Sequence, residues 1–202
     1  CTTLYLFALT MTLSATSLAQ NHSLEWTTGT VAFVAPFTNG GLDISTNPST
    51  PGPWGPMGQA GWGSTPGFAY ETIDFAMNDI MANLTLTGGF PIVLNVMTDV
   101  GDTPFTYGGT GLSLPAHGVK LQKLGQAEVT LSGANDRSSA VLRVNTLGPP
   151  LLPGTNTPMP ATIIQGFTIR DGSVGVELDI ANAFVPLRTE VRDCDITGNL
   201  GS

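Results

Sequence analysis

Charged residues are scarce in this sequence, and basic residues are scarcer still. Only 11% of its 202 residues are charged, with 7 Lys and Arg against 15 Asp and Glu. The few basic residues do not cluster, whereas a protein that binds nucleic acid needs clustered Lys and Arg to neutralise phosphates. The composition therefore argues against a nucleic-acid partner, and it indicates short strands and turns rather than long solvated helices.

Cysteine and histidine are nearly absent, with 2 residues of each. One of the cysteines, Cys1, begins the sequence, so a chain processed after its leader would keep Cys194 alone. A single cysteine excludes an intrachain disulfide, and so few ligands exclude a Cys/His metal constellation. Nucleophile elbows and phosphate-binding glycine loops are also missing. We therefore predict no metal site of this kind, and Cys194 reads as a small core residue.

The first 19 residues carry no charge and end in the small-x-small triplet Ser17-Leu18-Ala19. This pattern predicts a signal peptide, incomplete because the initiator Met and the basic start are missing. The run is too short and too rich in Thr and Ser to span a bilayer, so we expect no transmembrane segment in the mature chain. The prediction is a secreted or cell-surface protein beginning near Gln20; a buried N-terminal strand is the alternative.

Glycine, proline and short β-rich runs are what the sequence does contain, with 25 Gly and 15 Pro. The run 30–41 predicts a strand and a turn, and 47–68 and 147–160 predict loops. One amphipathic helix is predicted over 70–84, with the stripe Ile73, Met77, Ile80, Met81 and Leu84. Further strands are predicted at 90–98, 118–125, 128–133, 140–145, 162–172 and 174–180.

Two stretches, IIQGFTIRDG and VRDCDITGN, repeat one another at an offset of 27 residues (167 to 194). The alignment matches residues of like character: Phe167 with Cys194, Thr168 with Asp195, Ile169 with Ile196 and Gly172 with Asn199. A second alignment, at an offset of 48, places Val119 and Leu121 on Phe167 and Ile169. Like residues stacked at the strand spacing are typical of a solenoid. An antiparallel sandwich is the alternative, but it does not predict such stacking.

The order of motifs resembles the N-terminal part of secreted right-handed parallel β-helix proteins of the pectin-lyase-like superfamily. More narrowly, it is similar to an uncharacterised bacterial domain family that opens such β-helices. The motif residues are Thr72, Ile73, Ala76 and Met77, then Gly118, Val119, Leu121 and Gly125, then Gly166 to Gly172. The resemblance spans about 30–199. It departs at the two loops and at FPIVLNVMTD, which lacks the Pro-Gly-Thr-Tyr that usually follows this strand.

The resemblance implies an all-β fold, a right-handed parallel β-helix with an N-terminal capping strand and amphipathic helix. We expect about three coils between residues 90 and 202, close to the minimum for a stable solenoid. The domain, cap included, is expected over 20–202 and truncated at its C-terminus. Its implied function is an exported surface or extracellular module, structural or glycan-interacting. The alternative is a polysaccharide lyase or glycoside hydrolase whose catalytic coils lie beyond residue 202. Whether the protein is an enzyme, and its oligomeric state, stay open.

Candidate site residues follow from the chemistry of polysaccharide-active enzymes. Lyases of this superfamily use an Arg or Lys base and often calcium, and hydrolases use converging carboxylates. The candidates here are Arg170, Asp193 and Asp195. The two Asp are expected at positions i and i+2 of one strand. The alternative interpretation is that these outward polar residues only keep the surface solvated.

Two further pairs of residues are considered for binding roles. Trp54 and Trp62 are candidates for stacking on sugars or for pinning their loop. The spacing of Asp99 and Asp102 could begin a calcium loop, but nothing completes it, so turn roles are favoured and no cofactor is predicted.

Overall fold

The computed structural model describes residues 30–43, 63, 65–87, 91–109, 111–136, 138–145, 160–179 and 189–200. The predicted signal peptide, Trp54, Trp62 and most of both predicted loops lie outside this part of the chain. Its helix and strands are β1 Thr30–Val34, α1 Ile73–Thr87, β2 Ile92–Met97, β3 Phe105–Gly108, β4 Leu112–Pro115, β5 Val119–Leu124, β6 Val129–Asp136, β7 Leu142–Asn145, β8 Thr162–Gln165, β9 Thr168–Gly172, β10 Val176–Asp179, β11 Thr189–Arg192 and β12 Asp195–Ile196.

The strands form three sheets that the chain visits in a fixed order. The first sheet is β1-β2-β5-β8-β11, the second is β4-β7-β10 and the third is β3-β6-β9-β12. The chain runs through β2, β3 and β4 and then repeats the same path through β5, β6 and β7. All pairings between these strands are parallel. The architecture is therefore a parallel β-solenoid.

The core consists of columns of apolar side chains that run along the solenoid. Leu94, Leu121 and Ile164 are aligned on three neighbouring strands of the first sheet, and none of them is exposed to solvent. In the third sheet, the buried residues Tyr107, Leu131 and Ile169 form a second column. Burying one Leu or Ile side chain stabilises the fold by about 1.5–3 kcal/mol, so these columns hold successive passes of the chain together.

The predicted 27-residue repeat of the two C-terminal stretches is confirmed. Thr168 aligns with Asp195 and Ile169 aligns with Ile196, as the spacing indicated. Asn199 continues the match through its side chain, since its Oδ1 accepts the backbone N–H of Gly172 at 3.2 Å. Its Nδ2 donates to the carbonyl of Ile169 at 3.2 Å. The asparagine therefore ties one turn to the pass beneath it.

The second predicted register, at an offset of 48, is wrong. Leu121 aligns with Ile164, and Ile169 aligns instead with Leu131. The reason is that residues 162–172 are not one strand. Gly166 lies between β8 and β9 with a φ of +87°, a conformation that glycine adopts without steric cost. The chain turns there, so Ile164 and Ile169 belong to different sheets.

The helix begins three residues later than predicted, and polar contacts explain its start. The hydroxyl of Thr72 accepts the N–H of Phe75 at 3.3 Å, which is an N-cap bond. The Asp43 carboxylate accepts the N–H groups of Glu71 and Thr72, each at 2.9 Å. Three donors at the start of α1 are thus paired within the chain.

The helix and β1 together cover one end of the solenoid. β1 pairs with β2 and extends the first sheet, and α1 contacts both β1 and β4. Ile73, Met77 and Ile80 of the predicted stripe are buried in the common core. The side chains of Met81 and Leu84 lie outside the described ones. A cap over the first pass shields its apolar column from water.

Asp102 joins two neighbouring turns. Its carboxylate accepts the N–H groups of Gln126 and Ala127, each at 3.1 Å, and the hydroxyl of Thr98 at 2.9 Å. The bonds from Ala127, Thr98 and Gln126 lower the pKa of Asp102 below its usual 3.8. Asp99 likewise accepts the hydroxyl of Thr38 at 2.5 Å. Both acids therefore sit in hydrogen-bonded turns.

We predict that Asp102→Asn lowers the melting temperature at neutral pH by a few degrees, on the order of 2–4 °C. A carboxyl whose pKa is lowered by folding stabilises the fold above its unfolded pKa, and this contribution disappears as the pH falls through the folded value. The difference between wild type and variant should therefore be full at pH 7 and shrink below about pH 4. Thermal melts followed by circular dichroism across this range test it; a difference that does not change with pH contradicts it.

Candidate ligand-binding cleft

The three candidate catalytic residues have separate partners in the structure. Asp195 lies exposed on β12 beside Thr168 of the neighbouring strand, as predicted. The Nε of Arg170 lies 3.5 Å from a carboxylate oxygen of Asp171, its own neighbour. Asp193 accepts the side-chain amide of Gln165 at 3.0 Å. These contacts do not assemble a base and an acid around one point.

The predicted placement of Asp193 and Asp195 on one strand is wrong. Asp193 has a φ of 51° and lies in the turn between β11 and β12, whereas Asp195 is the first residue of β12. Aspartate tolerates this left-handed conformation better than most residues, which suits it to a corner. The i, i+2 spacing that implied a shared face is interrupted by that corner.

A different feature, a cleft of about 250 Å³, opens at the capped end of the solenoid. It lies between residues 36–38, the start of α1, and strands β3 and β4. β1 covers β2, but β3 and β4 are the outermost strands of their sheets. The cap therefore leaves the mouth of the apolar core open beside β3.

The floor of the cleft is aromatic and apolar. Phe105 and Tyr107 line it with their rings edge to face, with centroids 4.8 Å apart. The Tyr107 hydroxyl donates to the carbonyl of Met97 at 2.9 Å, which fixes the ring. Burial, and then the nearby Asp99 carboxylate, raise the pKa of Tyr107 above its usual value of 10.0, so this donor stays protonated. Leu112, Leu131 and Leu142 complete the floor.

The rim of the cleft combines an exposed aromatic ring with carboxylates. The side chain of Phe37 is 68% exposed and lies at the edge of the opening. Glu71, two residues before α1, and Asp74, in its first turn, contribute two acidic groups to the lining. Desolvation, and then the neighbouring Asp43, raise the pKa of Asp74 above its usual 3.8. Among the described residues that line the cleft there is no Lys, Arg or His, so its potential is negative.

The cleft has the composition that is typical of ligand-binding sites. Ligand sites are concave, mostly apolar and aromatic, and carry a few polar groups that orient the ligand. The sequence did not reveal it because its walls come from three separate segments, 36–38, 71–74 and 105–109. A partial signal is present in FTYGG, where two aromatic residues precede a glycine pair.

The described part of the chain contains neither a metal-binding cluster nor a membrane-spanning helix. There, no group of three or more His, Cys, Asp or Glu residues is arranged to hold a metal ion. No helix within those same residues has the length and apolar character needed to cross a bilayer. Within these residues there is thus no set of ligands for the calcium that the resemblance implied.

No protein-family model, no curated protein and no solved structure matches this chain. The class of the protein therefore comes from the fold itself, a parallel β-solenoid with one capped end. The resemblance to the pectin-lyase-like superfamily stays a proposal.

Proposed function

We propose that this chain is an exported right-handed parallel β-helix module, pectin-lyase-like in origin, that binds glycans at a surface or in the extracellular space. The all-parallel stacked sheets support the architecture. The observation that carries the function is the cleft, whose lining combines the exposed Phe37 with the aromatic pair Phe105 and Tyr107.

The physical argument rests on how sugars present themselves. A pyranose has an apolar C–H face that packs on an aromatic ring and a rim of hydroxyls that need hydrogen-bond partners. The cleft offers Phe37 for the face and the acceptor oxygens of Glu71 and Asp74 for the hydroxyls. Hydrogen bonds to carboxylates are about twice as strong as neutral ones, which favours hydroxyl recognition at this rim.

We predict that Phe37→Ala weakens glycan binding at least about tenfold, equal to about 1.4 kcal/mol. Phe37 is largely exposed, so its removal takes little from the core and the melting temperature should be nearly unchanged. The matched control is Phe68→Ala, which removes another exposed ring that does not line the cleft. Screening on a glycan array followed by titration calorimetry tests the proposal. Equal affinity in both variants, or no bound glycan, contradicts it.

A further inference from the structure

We propose that the cleft selects an amino sugar, a pyranose that carries a protonated primary amine, over neutral and uronate sugars. This inference rests on the proposed glycan-binding function and names its substrate class. It departs from what the resemblance implies, since lyases of that superfamily act on uronates. Its support comes from the distribution of charge around the cleft.

The start of α1 is the one element of the cleft wall that should attract an anion. Free N–H groups and the helix dipole make a helix N-terminus a ready anion site. Here the Asp43 carboxylate already accepts the N–H groups of Glu71 and Thr72 at 2.9 Å. The hydroxyl of Thr72 donates to the same carboxylate at 2.7 Å. The chain therefore places its own carboxylate beside the start of the helix, where it disfavours the binding of a second anion.

The charged residues among those that line the cleft are acids. Glu71 and Asp74 lie on the lining, and no cation among the described lining residues balances them. The carboxylate of Asp74 comes close to the turn that follows β3: a Cβ added to Gly109 would lie 3.6 Å from its Oδ2. A uronate would bring a third negative charge to this rim. An ammonium group would instead form charge-assisted hydrogen bonds with carboxylates at the edge of an apolar floor.

Both parts of the ligand are thus specified by the cleft. The aromatic floor and Phe37 accept a ring face, and the acidic rim accepts a cation beside it. An aliphatic amine without the ring would use the rim alone, and a neutral sugar would use the ring contacts without the ion pair. An amino sugar uses both, and this combination is the basis of the expected selectivity.

The test compares three tetrasaccharides by titration calorimetry with the 202-residue chain: glucosamine, N-acetylglucosamine and galacturonate oligomers. We expect the glucosamine oligomer to bind at least tenfold more tightly than its acetylated counterpart, and the galacturonate oligomer to bind most weakly. The double variant Glu71→Gln with Asp74→Asn should abolish this tenfold preference while retaining binding of the acetylated oligomer. The control, Glu128→Gln with Asp179→Asn, changes the net charge equally at exposed sites outside the cleft. It should keep the preference.

Each remaining outcome overturns the inference in a distinguishable way. Equal affinities for the glucosamine and acetylated oligomers contradict the selectivity but leave glycan binding standing. A preference for galacturonate contradicts it as well. Loss of the preference in the control variant shows that bulk charge, not the cleft, attracts the ligand. If none of the three oligomers binds, this inference fails; if the glycan array is also blank, the proposed function fails with it.

Discussion

Leu121→Ala should lower the free energy of unfolding by about 2–5 kcal/mol. Leu121 is fully buried between Leu94 on one side and Ile164 on the other, in the column of the first sheet. In a solenoid each pass contacts only its neighbours, so a cavity at this position weakens two interfaces at once. Neither neighbour can collapse into the space without breaking the ladder of parallel hydrogen bonds.

Urea denaturation followed by far-ultraviolet circular dichroism measures this loss. The control is Lys120→Ala, one residue earlier on the same strand and half-buried. Its side chain points to the opposite face, because successive residues of a strand alternate. We expect the control to cost less than about 0.5 kcal/mol. A loss of under about 1 kcal/mol for Leu121→Ala would contradict the column as the source of stability.

Gly41→Ala should destabilise the cap, with a loss of about 3 kcal/mol. A Cβ built on Gly41 would overlap the carbonyl oxygen of Ala35 and lie 2.9 Å from the carbonyl oxygen of Tyr70. Both clashes are with backbone, which cannot rotate away as a side chain could. The Tyr70 carbonyl also takes part in a bond that folds the cap, because it accepts the N–H of Ala35 at 2.8 Å.

The matched control for this prediction is Gly67→Ala, because a Cβ at Gly67 meets nothing within 4 Å. Thermal unfolding of both variants should show a clear loss for Gly41→Ala and little change for Gly67→Ala. Ligand binding should fall together with stability in Gly41→Ala, since residues 36–38 form one wall of the cleft. A variant at Gly41 with wild-type stability would show that the cap is not built around this close approach.

The sequence pattern predicted several elements correctly, and the misses have local causes. The strands at β2, β5 and β7 fall inside the predicted runs because their apolar alternation is plain. β3 and β4 were missed, since FTYG and LSLP lie among glycine, threonine and proline residues that read as loop. Their extended form comes from parallel pairing with β6 and β7. Tertiary pairing overrode the local preference there.

The sequence by itself determined the stacking of the last two passes. Residues 167–172 and 194–199 lie one uninterrupted repeat apart, and equal spacing is all that is needed to read a register. Only the tertiary structure decided the register between residues 119–136 and 162–172, because Gly166 splits one apparent strand and the predicted insertion at 147–160 lengthens the spacing. The tertiary structure alone also formed the cleft. Phe37, Glu71 and Tyr107 are far apart in the chain, and they meet because the cap folds back over the first pass and leaves β3 uncovered.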